Sequence, residues 1–150
     1  MQNTLNKKSS KKILILGSSS DIGYELTKIL LNRNCYLHLH YFSNKSPLKR
    51  INSKKIKFIK SNFAASQKGL ILKKFDNNYD AIINLVGYID NKSFMNFSYD
   101  NLIKSLTINS IVPLLIIRKS IDNMAKKKYG RIINTSSIGV KFGGSKNTFS

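Results

Sequence analysis

The sequence predicts an α/β fold in which a doubly wound parallel sheet of about five strands carries helices on both faces. Two observations predict it. Short apolar runs of strand length alternate with segments whose apolar residues recur at helical spacing, and such alternation requires crossovers that pair strands in parallel. The first strand also runs directly into a glycine-bearing turn and then a helix.

Residues 13–16 form a continuous apolar run ending at Gly17, the pattern of a strand buried on both faces. Residues 17–23 make a tight turn, and 24–31 form a helix with Leu26, Ile29 and Leu30 on one side. Residues 35–42 alternate and are rich in aromatics, a second strand. A polar loop with Pro47 and room for a short helix follows over 43–55, then a third strand at 56–59. A helix is expected over 64–75, and a fourth buried strand over 81–86, closed by Gly87. Residues 99–108 and 111–127 read as helices, the second apolar nearly all round, and Gly130 introduces a fifth strand at 131–135. No internal repeat or second domain is visible. Residues 1–10 are expected to be a flexible polar tail and 11–150 one domain.

A chain of 150 residues can bury roughly 70% of the surface its unfolded form exposes, enough for a proper core. No apolar stretch approaches the roughly 18 uninterrupted residues of a spanning helix, since Pro113 breaks the longest run, so no membrane is expected. The single Cys35 is expected to be a buried small hydrophobe. The polar, basic N-terminus does not read as a secretory signal, which places the chain in the cytoplasm. The net charge of +19 raises a nucleic-acid reading, yet the lysines are dispersed and accompanied by Asn and Ile, residues that also have A/T-rich codons. A biased genome explains that composition, and no specific nucleic-acid partner is expected. His38 and His40, two apart on a strand, face the same side; without a third ligand they are expected to be sheet residues, and no metal is expected.

A glycine-bearing turn between a buried strand and a helix sets backbone N–H groups and the positive helix end against a phosphate. Gly17 lets the strand turn sharply, and Gly23 lets the helix sit close to the sheet. Asp21 would repel a pyrophosphate if it faced one, so it is expected to cap the helix with its carboxylate turned away.

The segment from Gly17 to Gly23 resembles the T-G-x-x-x-G-I-G turn of the short-chain dehydrogenases/reductases, with Leu16 in place of Thr and Asp21 in place of the middle Gly. Asn84-Leu85-Val86-Gly87 is similar to that family's N-N-A-G segment, and Asn109, four residues before Pro113, matches its active-site Asn. Residues 130–137, Gly-Arg-Ile-Ile-Asn-Thr-Ser-Ser, resemble the G-x-I-V-N-I-S-S strand whose last Ser is catalytic. The resemblance runs from about residue 11 to 150 and preserves the order of the motifs.

The resemblance implies a Rossmann-type sheet, incomplete at the C-terminus, and hydride transfer between a nicotinamide and a carbonyl/alcohol pair. It assigns Ser137 to hold the carbonyl oxygen and Asn109 to anchor a proton-relaying water. The family's Tyr-x-x-x-Lys, the general acid/base with its partner, would begin just after Ser150. Tyr24/Lys28, Tyr41/Lys45 and Tyr88/Lys92 share that spacing by chance, because none follows Ser137. Residues 1–150 alone are therefore expected to be inactive, either the N-terminal portion of a reductase or a nucleotide-binding remnant.

For the cofactor, the resemblance implies backbone and side-chain contacts from Gly17, Ser18, Ser19, Ser20, Ile22 and Gly23, and from Leu85, Val86 and Gly87. Asn62 and Phe63 stand where the family has its adenine contact. The end of the second strand lacks the carboxylate that takes ribose hydroxyls in NAD sites, which favours NADP(H) over NAD(H), with Ser43, Asn44 and Lys45 as phosphate contacts. Similarity to 3-oxoacyl-carrier-protein reductases implies a small-molecule or carrier-bound carbonyl substrate and a homo-oligomer for the full-length member.

Overall fold

The computed structural model describes residues 10–90 and 94–142, so the predicted tail at 1–10 lies almost wholly outside the described residues. Five strands, β1 (Lys12–Leu16), β2 (Tyr36–Tyr41), β3 (Ile56–Lys60), β4 (Ala81–Asn84) and β5 (Arg131–Asn134), form one parallel sheet in the order β3-β2-β1-β4-β5. The helices are α1 (Asp21–Leu31), α2 (Lys68–Lys73), α3 (Tyr99–Leu106), α4 (Val112–Lys126) and the short α5 (Gly139–Phe142). The predicted parallel sheet of about five strands is the one observed.

The apolar run of β1 is buried on both sides. Ile13 and Ile15 pack with Leu37, Leu39 and Leu48 on one face, and Leu14 and Leu16 pack with Phe75, Tyr79, Val112 and Ile116 on the other. Side chains alternate across a strand, so one short segment seeds both cores. Cys35 is buried, as expected, and burial pushes its thiol pKa up.

All four helices expected from the sequence have different bounds in the structure. α1 starts at Asp21 because Ser20, not Asp21, caps it: the Ser20 hydroxyl accepts the Gly23 N–H at 3.1 Å and donates to the Gly17 carbonyl at 3.0 Å. α2 spans Lys68–Lys73 rather than 64–75, since the Asn62 side chain accepts the Ala64 N–H at 3.0 Å and holds that stretch as a turn. At its other end the Lys119 ammonium donates to the carbonyls of Leu72 and Phe75 at 2.8 and 2.6 Å and satisfies them instead of further helix. The helices predicted at 99–108 and 111–127 are one continuous run, Tyr99–Lys126, joined through a π turn at Thr107–Ile111. Pro113 lies in the first turn of α4, where its missing N–H costs little. By length and composition this run is also apolar enough to cross a membrane, with a mean hydropathy of 1.3 over 18 residues. Its Val112, Ile116, Ile117 and Met124 nevertheless pack into the core beneath the sheet.

Candidate nucleotide site

The loop after β1 sorts its donors into two sets. Facing inward, Gly17 N–H donates to His40 Nδ1 at 3.2 Å, and Ser18 gives both its N–H and its hydroxyl to the His40 carbonyl at 2.9 and 2.8 Å. By contrast, the N–H groups of Ser19, Asp21 and Ile22 have no acceptor among the described residues. The latter two belong to the first turn of α1, where helical geometry leaves N–H groups unpaired and the dipole is positive.

Two glycines make this loop possible. Gly17 has φ 75°, and a Cβ there would lie 3.0 Å from the Leu85 carbonyl oxygen. At Gly23 a Cβ would lie 2.7 Å from Ser18 Cα, so only glycine lets α1 approach the strand this closely. Asp21 is exposed at the helix start, a favourable place for a carboxylate even without the capping role assigned to it from sequence.

Of Ser19, Asp21 and Ile22, Ser19 lines a cleft of about 540 Å³ between the ends of β1, β3 and β4, and Asp21 and Ile22 follow it in the chain outside that lining. The topology explains its place: β1 lies between β2 and β4, so the loops after β1 and β4 leave the sheet in opposite directions and a crevice opens between them. Of the predicted contacts, Gly17, Ser19, Ser20, Asn62, Phe63, Leu85, Val86 and Gly87 line it together. Ser18 is fully buried with both donors spent inside the fold, Gly23 packs against the sheet, and Ile22 exposes its side chain while offering its N–H. Ser43, Asn44 and Lys45 lie outside the cleft lining. Asn44 accepts the Ser46 N–H at 2.8 Å, and the Lys45 ammonium sits 4.0 Å over the Phe58 ring. Among the described lining residues Lys104 is the one charged side chain, so they present a cation, the Ser19 N–H and no carboxylate. Such a lining fits an anionic ligand.

The two predicted catalytic residues sit on different supports. Asn109, in the π turn, clamps Tyr88: its Oδ1 accepts the Tyr88 N–H at 2.7 Å and its Nδ2 donates to the Tyr88 carbonyl at 2.8 Å. Ser137 is exposed beyond β5, its hydroxyl accepting the Gly139 N–H at 3.2 Å. Asn84 joins the β4 and β5 ends, its Nδ2 donating to Asn134 Oδ1 at 3.3 Å and its carbonyl accepting both the Thr135 N–H and hydroxyl.

The family model described as short chain dehydrogenase matches residues 11–148. The chain belongs to that family. No curated protein matches its sequence. Among solved structures it is similar to a protein from Bacillus thuringiensis described as a 3-oxoacyl-reductase, with 18% identity and a TM-score of 0.74 over 89% of this chain and 60% of that one. A short chain dehydrogenase from Leptospira borgpetersenii serovar Hardjo-bovis, with NAD+ bound, gives 20% identity and a TM-score of 0.74 over 91% and 56%. A tyrosine variant of ElxO with NADPH bound gives 20% and 0.71 over 92% and 60%. At these identities the likeness shows the fold, and the chain spans between 56% and 60% of the length of these three proteins.

Several cleft residues of this family member escaped the sequence reading. Tyr88, Lys104 and Ile108 enter because α3 and the π turn pack beside the β4 end, and the Lys104 ammonium lies 4.6 Å over the Tyr88 ring. His40 and Ser61 form the floor. His40 Nε2 meets the Ser61 carbonyl at 3.1 Å, Phe63 stacks on the ring at 4.3 Å, and burial lowers the histidine pKa to about 4. His38 shares that face and bonds the Tyr79 hydroxyl through Nδ1 at 2.8 Å, so both histidines are spent within the protein.

Proposed function

We propose that this chain is the nucleotide-binding portion of an NADP(H)-dependent oxidoreductase acting on a carbonyl/alcohol pair. The observation that carries the reading is the set of N–H groups at Ser19, Asp21 and Ile22 without an acceptor among the described residues, of which Ser19 lines an anion-compatible cleft, in a loop shaped by a glycine that no other residue replaces without strain. The ligands seen in the NAD+ and NADPH complexes of its structural neighbours support a nicotinamide dinucleotide. When bound, that cofactor supplies the hydride acceptor or donor.

The residues of the chain would then divide the work. The loop donors hold the pyrophosphate; Leu85, Val86 and Gly87 border the adenosine side; Asn62 offers its amide near the adenine. Ser43, Asn44 and Lys45 would take the 2′-phosphate, because no carboxylate stands at the end of β2 to repel it. Ser137 would hold the carbonyl oxygen. Asn109 has its amide committed to Tyr88, so its backbone carbonyl is the better acceptor for a relay water; Pro113, four residues on, has no N–H to claim that oxygen in an α-helical pattern. The substrate would be a small-molecule or carrier-bound carbonyl, the full-length protein a cytoplasmic homo-oligomer with no specific nucleic-acid partner. Residues 138–150 contain no tyrosine, so the polypeptide 1–150 would bind nucleotide without turnover.

The test is a calorimetric titration of NADP+ and NAD+ into the chain and into Lys45→Glu. NADP+ should bind the tighter, and the variant should lose roughly tenfold of that preference, the size of one charge-assisted contact. Tighter binding of NAD+ by the parent chain would overturn the NADP assignment.

A further inference from the structure

We propose that His40 is a positioning residue for the nucleotide loop: with its single ring hydrogen on Nε2 it accepts the Gly17 N–H and donates to the Ser61 carbonyl, tying the β1–α1 turn to the end of β3. The proposal rests on reading the cleft as a nucleotide site. A backbone N–H can only donate, so Nδ1 facing Gly17 at 3.2 Å must be bare. A backbone carbonyl can only accept, so Nε2 facing Ser61 at 3.1 Å must carry the hydrogen. Only one neutral tautomer satisfies both bonds. A protonated ring would set one N–H against another at Gly17.

The same residue also takes the Ser18 N–H and hydroxyl through its own carbonyl. Three of the loop's donors are thereby drawn inward to His40, and the loop is fixed in the shape that leaves the N–H groups of Ser19, Asp21 and Ile22 without an acceptor among the described residues. The ring has little freedom to leave. Phe63 stacks on it at 4.3 Å with planes 14° apart, and Phe75 lies 5.8 Å away at a tilt. The charged group bearing on it is Lys74, just past α2, whose ammonium is bonded to the Lys60 carbonyl and opposes protonation. Burial acts in the same direction and more strongly, so the ring stays neutral at ordinary pH.

Two measurements test this. Long-range ¹H–¹⁵N spectra of the histidine rings in the wild-type chain at pH 7 should show His40 with a bare Nδ1 and a protonated Nε2; the opposite tautomer or a charged ring would overturn the assignment, and no variant is needed to see it. NADP+ titration then compares variants. His40→Gln carries an acceptor and a donor at the two ends of its amide and should keep affinity within about threefold, whereas His40→Phe keeps a stacked ring without either bond and should lose at least about tenfold. Equal affinity in wild type and His40→Phe would overturn the positioning role and leave the nucleotide reading intact. Failure of the wild-type chain to bind NADP+ would overturn the nucleotide reading, and the role of His40 with it, whatever the tautomer.

Discussion

β1 and β5 are short parallel strands of similar composition, Lys-Ile-Leu-Ile-Leu and Arg-Ile-Ile-Asn, yet the first is almost wholly buried and the second is exposed along its length. Ile13 to Leu16 lie between neighbouring strands and beneath helices on both faces, while Ile132 and Ile133 remain 43% and 51% accessible at the sheet edge. Burial is set by neighbours rather than by the residues of the strand. The functional consequence is a division within the molecule: the loop that follows β1 is packed and hydrogen-bonded into one shape, whereas the Ser137 segment that follows β5 is held by few contacts among the described residues.

If that division is real, substitutions at the two ends should differ sharply. The largest effect is expected at Gly17→Val, where positive φ and the Leu85 carbonyl both oppose a side chain; a loss of about 2–4 kcal/mol in urea unfolding should accompany at least a tenfold loss of NADP+ affinity. A value under 1 kcal/mol would show that the loop is not as constrained as its geometry implies.

Acidification should sharpen the comparison, because both histidines lie on the packed side and none on β5. His38 and His40 have pKa values lowered from 6.5 to about 4, chiefly by burial, so the unfolded chain binds more protons between those limits. Their contribution is fully present above pH 6.5 and falls away as the pH drops toward 4. For His40 alone the difference is on the order of 3 kcal/mol, visible as a falling midpoint in thermal melts between pH 7 and 4.5. A flat midpoint across that window would contradict the buried, neutral rings.

Smaller changes should follow the same gradient. Ser20→Ala removes the α1 cap and should cost about 1 kcal/mol, measured by urea unfolding. Ser137→Ala breaks, among the described residues, a surface contact with Gly139 and should leave stability within about 0.5 kcal/mol and NADP+ affinity unchanged. A cost at Ser137 equal to that at Ser20 would erase the contrast between the two loops.

What could be read from sequence was what local pattern determines. The apolar run into Gly17, the close approach at Gly23 and the Asn84–Gly87 strand end all have one-dimensional signatures, and in the structure Gly17 and Leu85 to Gly87 line one cleft while Gly23 packs against Ser18. The cap was misplaced by one residue because Ser20 and Asp21 are both good capping residues, and only the backbone at Ser20 has the extended geometry of an N-cap. The π turn was invisible because Asn109 reaches a backbone 21 residues away, a contact no local period encodes. His40 was legible as a sheet residue and no further, since its partners Gly17 and Ser61 come from two other strand ends. The exposure of β5 was equally hidden, its composition resembling that of β1.

If the loop after β1 holds the phosphates of a nicotinamide dinucleotide through the N–H groups of Ser19, Asp21 and Ile22, an amide ¹H–¹⁵N titration of the chain with NADP+ will register it at those residues. The expected result is that the largest shifts fall on Ser19, Asp21 and Ile22, with smaller ones on Leu85 to Gly87. Saturating NADP+ that moves none of these amides, or moves only residues around the open depression at Tyr129 to Ile132, would contradict it.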